Sequence, residues 1–276
     1  TISNIEGVIG SARNDYIALG AGGMSATAGD GSDVVVGGAG DDTVIGGAGA
    51  DTLDGAGGTG DILSYADVTA ASAAQHGIAD VGILGMFINV SGSAVTRATM
   101  HTAMQAAGTD NYHTASDADI ADGKVAYIAA ANNTSAADVL DTVSNFESII
   151  GSARADFIAL GSGGLTVDGG AGIDVIVNSG TGVDSLTGGA GNDVFVYASS
   201  ATFIAATANA DAVIDSIDGG DGTGDAIEIT GSIGIGAAAA DTMARVSNTE
   251  ILKAAANADG SNNYTHAVTI ASDAAM

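Results

Sequence analysis

The 276-residue chain contains no cysteine, no proline and no tryptophan, and only six basic residues stand against 33 acidic ones. Each shortage closes off a class of protein. Without cysteine there are neither disulfides nor thiolate metal sites. Without proline and a strict three-residue glycine period the chain is not collagen-like, and no slow prolyl isomerisation is built into its folding. Six bases cannot neutralise a run of phosphates, so nucleic acid is excluded as a partner. Aromatics make up 4% of the residues, which leaves little bulk for a core. The most apolar run, VGILGMFINV at 81–90, is far short of the ~20 residues that span a bilayer, so no membrane span is expected. The first residues, TISNIEGVIG, have neither the basic segment nor the apolar centre of a secretory signal peptide. The chain also starts without Met, which predicts a piece processed or cut from a longer product. HExxH and GxSxG are absent, and His76, His101, His113 and His266 are scattered, so no enzyme is expected.

Glycine (43 residues) and acid are what the chain has, with a formal net charge of −27, and both recur with a period. Residues 1–20 (TISNIEGVIGSARNDYIALG) match residues 142–161 (TVSNFESIIGSARADFIALG) at a constant offset of 141. Within each copy runs a period of nine. The first gives GSARNDYIA, LGAGGMSAT, AGDGSDVVV, GGAGDDTVI and GGAGADTLD from Gly10 to Asp54. The second gives GSARADFIA, LGSGGLTVD and GGAGIDVIV from Gly151. One extra residue, Asn178, then precedes SGTGVDSLT and GGAGNDVFV, which end at Val196. Sixth positions hold Asp15, Asp33, Asp42, Asp51, Asp156, Asp174, Asp184 and Asp193, with Met24 and Leu165 where the acid is missing.

The nonad has its own physical logic. Glycine at positions 1, 2 and 4 permits a tight turn with positive φ and leaves backbone carbonyls uncovered. The acid at position 6 adds a hard anionic oxygen. The last three residues make a short strand whose central side chain points inward. Two nonads close one coil of ~18 residues, and turns two nonads apart stack at the ~4.8 Å strand spacing. A cation between stacked turns meets only oxygen, which suits Ca²⁺. This register pairs Asp15 with Asp33, Asp33 with Asp51, Asp42 with the turn that includes Asp61, and Asp174 with both Asp156 and Asp193. The candidate donors are these acids, Asp184 and Asp225, together with Gly29, Gly31, Gly38, Gly40, Gly47, Gly49, Gly170, Gly172, Gly189 and Gly191. Turns with Met24 or Leu165 are expected to hold no ion or a weak one. Arg13 and Arg154, at equivalent positions, are expected to pair with a nearby Asp.

The consensus GGxGxDxUx, matched at every fixed position by 37–45, 46–54, 169–177 and 188–196, resembles the repeats-in-toxin (RTX, haemolysin-type) calcium-binding nonapeptide. The lead-in SNxE at 3–6, 144–147 and 247–250 and the exit DGxxGTGD at 54–61 and 218–225 are similar to that family's flanking phrases. The resemblance touches about two-thirds of the chain and is weakest from 68 to 137. It implies an all-β fold of two tandem parallel β-rolls with strand-rich caps and a few short helices, and several bound Ca²⁺. It also implies export without an N-terminal signal, through a type I apparatus, to the extracellular space or cell surface.

The expected organisation is a first calcium-binding roll at 1–67, an irregular cap or insert at 68–140, a second roll at 141–200 and a β-rich cap at 201–276. About two and a half coils per block is a marginal stack, so flanking segments must cap it. Residues 87–95 read as a strand with a turn, 94–106 as a short helix, and 108–133 as irregular. Residues 247–258 read as a helix opened by a Ser247/Glu250 capping box. Three functions follow: a calcium-dependent structural protein that self-associates into a surface layer or filament, the calcium-binding tail of a secreted hydrolase or toxin, or an adhesin using 96–137. A cell-surface polysaccharide is a further possible partner.

Overall fold

The computed structural model describes residues 5–68, 83–107, 121–129, 141–198, 204–207, 210–213, 215–230 and 245–254. The nonads fold as their phase dictates, into coils that cross alternately between two parallel sheets. One sheet has nine strands, in the order β1 (Gly7–Ile9), β3 (Ser25–Asp30), β5 (Thr43–Ala48), β7 (Ile62–Ser64), β11 (Ser148–Ile150), β13 (Thr166–Ala171), β15 (Ser185–Ala190), β19 (Ser216–Asp221) and β21 (Val246–Ser247). The other has eleven: β2 (Tyr16–Ala18), β4 (Val34–Val36), β6 (Thr52–Asp54), β10 (Asp141–Ser144), β9 (Lys124–Ala129), β8 (Ile83–Val90), β12 (Phe157–Leu160), β14 (Val175–Asn178), β16 (Val194–Tyr197), β20 (Ala226–Ile229) and β22 (Ile251–Ala254). A separate hairpin joins β17 (Ile204–Thr207) to β18 (Ala210–Val213). The structure is nearly all β, and its parallel sheets form a β-roll.

The register is the 18-residue one. Ser25 lies beside Thr43 and Val34 beside Thr52. Eighth-position side chains stack between the sheets: Ala26, Val44, Leu63, Ile149, Val167, Leu186 and Ile217 from one, and Ile17, Val35, Leu53, Ile158, Ile176, Phe195 and Ile227 from the other, all buried. Because successive residues of a strand face opposite sides, one inward residue per nonad suffices to build this interior.

The two repeat blocks share both sheets. β7 pairs with β11 directly, while β6 pairs with β10, and the antiparallel strands β9 and β8 bridge from there to β12. The first block's exit is thus hydrogen-bonded to the second block's lead-in, which relieves the shortage of coils in each.

The strand at 87–95 continues upstream to Ile83, and the helix is α1 (Arg97–Ala106), capped where Thr96 Oγ1 accepts the Thr99 N–H at 3.0 Å. Met100 and Met104 of α1 pack on the outer face of the eleven-stranded sheet, against Phe87, Phe157, Val175 and Val194. Phe87 and Phe157 meet edge to face with centroids 5.0 Å apart.

Two expectations are corrected. Lys124–Ala129, placed in an irregular stretch, is a strand inside a sheet. The segment 247–258 does not open a helix: Val246–Ser247 and Ile251–Ala254 are strands, the latter parallel to β20, with Asn248 turning at φ 47° between them. Residues 255–258, like His76, His113 and His266, lie outside the described residues.

Candidate metal centre

Turns stack along two edges of the roll. At each level the backbone N–H of a sixth-position residue donates to the acid one coil further on. Along the first edge Asp15 donates to Asp33 (2.7 Å), Asp33 to Asp51 (2.8 Å) and Asp51 to Asp141 (2.9 Å). Further along the same edge Met86 donates to Asp156 (2.6 Å), Asp156 to Asp174 (2.7 Å), Asp174 to Asp193 (2.8 Å), Asp193 to Asp225 (2.7 Å) and Asp225 to Glu250 (2.9 Å). Along the second edge Met24 donates to Asp42 (2.8 Å), Asp42 to Asp61 (2.7 Å) and Asp61 to Glu147 (3.0 Å). Leu165 then donates to Asp184 (2.7 Å) and Asp184 to Asp215 (2.9 Å). The neighbours read from the nonad phase are all brought together.

One carboxylate oxygen of each acid except Asp15, the first of its edge, is used in this ladder; the fate of Oδ2 divides the acids into two groups. The Oδ2 atoms of Asp33, Asp51, Asp61, Asp174, Asp193 and Asp225 are buried without any hydrogen-bond partner. An orphaned buried anionic oxygen is costly unless something cationic meets it. In the second group Oδ2 is hydrogen-bonded. Asp15 Oδ2 accepts from Ser11 N (2.6 Å) and Ser11 Oγ (2.8 Å), Asp42 Oδ2 from Gly38 N (2.6 Å), and Asp156 Oδ2 from Ser152 N (2.5 Å). Asp141, Asp184 and Asp215 are held by tyrosine or asparagine side chains.

Backbone carbonyls supply the rest of the lining. On the first edge Gly29, Gly31, Gly47, Gly49, Gly170, Gly172, Gly189 and Gly191 all have positive φ, between 94° and 147°. A Cβ on Gly47 would strike the Gly29 carbonyl, and one on Gly189 the Gly170 carbonyl, so these oxygens line the floor beneath the next turn. Position-1 glycines have ordinary φ and are needed for space instead: a Cβ at Gly46 would lie 2.6 Å from Asp51 Oδ2, and one at Gly169 2.5 Å from Asp174 Oδ2. Gly38 and Gly40, on the second edge, also lack positive φ but stack tightly on Gly20 and Gly22 of the coil below. Positive φ therefore marks positions 2 and 4 of the first edge, with Gly163 (φ 144°) at position 4 on the second, and not every glycine of the nonad. Among the described residues no three Asp, Glu or His side chains converge, so a metal between stacked turns would draw on backbone carbonyls as well as carboxylates. That donor set is all oxygen and fits Ca²⁺.

Sequence reasoning missed four acids of these ladders. Glu147 and Glu250 sit in the SNxE phrase, whose recurrence was the available signal. Asp141 and Asp215 lie 90 and 31 residues from their ladder neighbours and carry no nine-residue phase. The missing acid at Leu165 has a local cause. It stacks on Glu147, whose N–H is already given to the Asp61 carbonyl, so no donor is left for an acid there. The arginines do not behave as expected: among the described residues neither Arg13 nor Arg154 forms an ion pair, and Arg154 Nε is buried without a partner.

Burial raises the carboxyl pKa values, to about 6 at Asp51 and Asp193, and about 7 at Asp141 and Asp156. Asp174 reaches about 9, because burial is joined by the charge of Asp156. A carboxyl raised on folding binds more protons folded than unfolded between its two values. The metal-free fold therefore gains stability as pH falls from about 9 toward 3.8 and loses it as pH rises. Thermal denaturation in chelator is expected to give a higher midpoint at pH 5 than at pH 8. With calcium the order reverses, since protons compete for the same oxygens.

In comparison with known families, the RTX calcium-binding nonapeptide repeat, in four copies, matches residues 27–62 and 176–199. No curated protein matches the chain.

Proposed function

From the premise that this chain carries RTX calcium-binding nonapeptide repeats, which bind Ca²⁺ at multiple sites, we propose that it is an extracellular structural protein that folds on calcium and then self-assembles. The observation that carries the calcium assignment is the set of six buried, unpartnered Oδ2 atoms, at Asp33, Asp51, Asp61, Asp174, Asp193 and Asp225. In this reading each takes an ion between successive turns, with carbonyls of the position-2 and position-4 residues beside it. Each bound ion contributes folding free energy. Extracellular calcium fills sites with Kd values of ~0.1–1 mM that stay empty at cytosolic levels. The same chain then remains loose inside the cell and sets outside it, which agrees with the secreted character of RTX proteins.

Self-assembly is supported by a contrast inside the duplication. In the second copy Phe157 is 1% exposed, covered by Met100 and Met104 of α1 and by Phe87 of the neighbouring strand β8. Its equivalent Tyr16 is 73% exposed, and Ile9, on the other sheet, is 84% exposed. β1 and β2 are the outermost strands of the two sheets, and a strand edge with exposed apolar side chains invites another chain. Electron microscopy and sedimentation velocity with and without chelator test the reading. Ordered arrays or filaments are expected only with millimolar calcium, and Tyr16→Asp is expected to reduce them while leaving calcium binding intact. A wild-type protein that binds calcium yet stays monomeric would remove the assembly half of the proposal.

A further inference from the structure

The nine-residue phase breaks once within the second block, at Asn178. That residue ends β14 and is buried, with 1% exposure. Its Nδ2 lies 2.7 Å from Asp184 Oδ2 and 2.9 Å from Asp215 Oδ2, so one amide nitrogen bridges carboxylates of successive levels. Its Oδ1 accepts the Gly180 N–H at 3.0 Å, which fixes the amide's orientation. Tyr197, fully buried, donates its hydroxyl to the same Asp215 Oδ2 at 2.8 Å. Asp215 Oδ1 is taken by the Asp184 N–H at 2.9 Å. Neither Asp184 nor Asp215 has an orphaned oxygen, in contrast to Asp174 and Asp193 on the opposite edge.

We propose that Asn178, with Tyr197, takes the place of a calcium ion at the Asp184–Asp215 turn, cross-linking this part of the second edge without metal. The donor sits where two carboxylates converge, the position a cation takes in the other turns, and hydrogen bonds to ionised oxygens are the strong class. The inserted residue is what makes this possible. It adds one position to the end of the strand and so brings a side-chain amide to the turn, where an uninterrupted nonad offers only glycine. Tyr65 does the same at the end of the first block's ladder, donating its hydroxyl to Asp141 Oδ2 at 2.9 Å. The proposal rests on the calcium reading of the orphaned turns and divides the acids further: Asp184, although it stands at a consensus position, ligates no ion.

Calcium stoichiometry of the full chain, by equilibrium dialysis or native mass spectrometry, tests it. Asp184→Asn is expected to leave the number of bound ions unchanged, while Asp193→Asn lowers it by at least one. A lower count in the Asp184 variant overturns the inference, whereas a wild-type chain that binds no calcium overturns the reading beneath it. Should the Asp184 variant not fold, anomalous scattering from wild-type crystals grown with calcium decides. No peak is expected between Asp184 and Asp215, and a peak there overturns the proposal.

Discussion

Removing calcium is expected to lower the thermal midpoint of the protein by roughly 20 °C or more, or to abolish its cooperative unfolding. An ion present at 100 times its Kd stabilises the state that binds it by ~2.7 kcal/mol, so three such ions approach the whole net stability of an ordinary domain. This chain has little to set against that loss. Its interior is one side chain per nonad, several of them Ala or Val, and no disulfide holds the coils together. Chelation also leaves six buried carboxylate oxygens along the two edges with no counter-charge. Differential scanning calorimetry with and without EDTA checks the shift, and a midpoint that moves by only a few degrees would rule out calcium as the main support of the fold.

Gly191→Ala is expected to destabilise the calcium-loaded protein by roughly 3 kcal/mol and to weaken calcium binding. Gly191 has φ 147°, and a Cβ there would fall on the carbonyl oxygen of Gly172 in the preceding coil. The added methyl must push two turns apart at the level of Asp174 and Asp193, where an ion is proposed. Gly22, at the same fourth position of its nonad, has no positive φ, and a Cβ there would meet nothing within 4 Å. Gly22→Ala is therefore expected to change stability by less than about 0.5 kcal/mol. Chemical denaturation of the two variants measures the difference, and equal effects would show that close stacking of turns is not what the glycines provide.

The period of nine made most of this legible in advance. It located the inward-facing residues, the strand register and the ladder neighbours, because a coil of fixed length places chemically equivalent residues one above another. What it left out lies where coil length varies. Asp141 and Asp215 join the ladders across long insertions, so no spacing marks them. The segment beginning at Ser247 looks like a helix start when its local capping pattern is considered alone. In the fold Glu250 instead accepts the Asp225 N–H and Ile251–Ala254 extends a sheet, because a pre-formed ladder offers more hydrogen bonds than one helical turn. Chain continuity between the blocks was equally hidden, since the bridging strands β8 and β9 carry no repeat.

The central claim is that calcium sits between stacked turns, against the orphaned oxygens. Anomalous scattering from crystals grown with calcium locates those ions directly. Peaks are expected beside the Oδ2 atoms of Asp33, Asp51, Asp61, Asp174, Asp193 and Asp225, with none between Asp184 and Asp215. Peaks confined to exposed surface acids, with the spaces between turns empty, would contradict it.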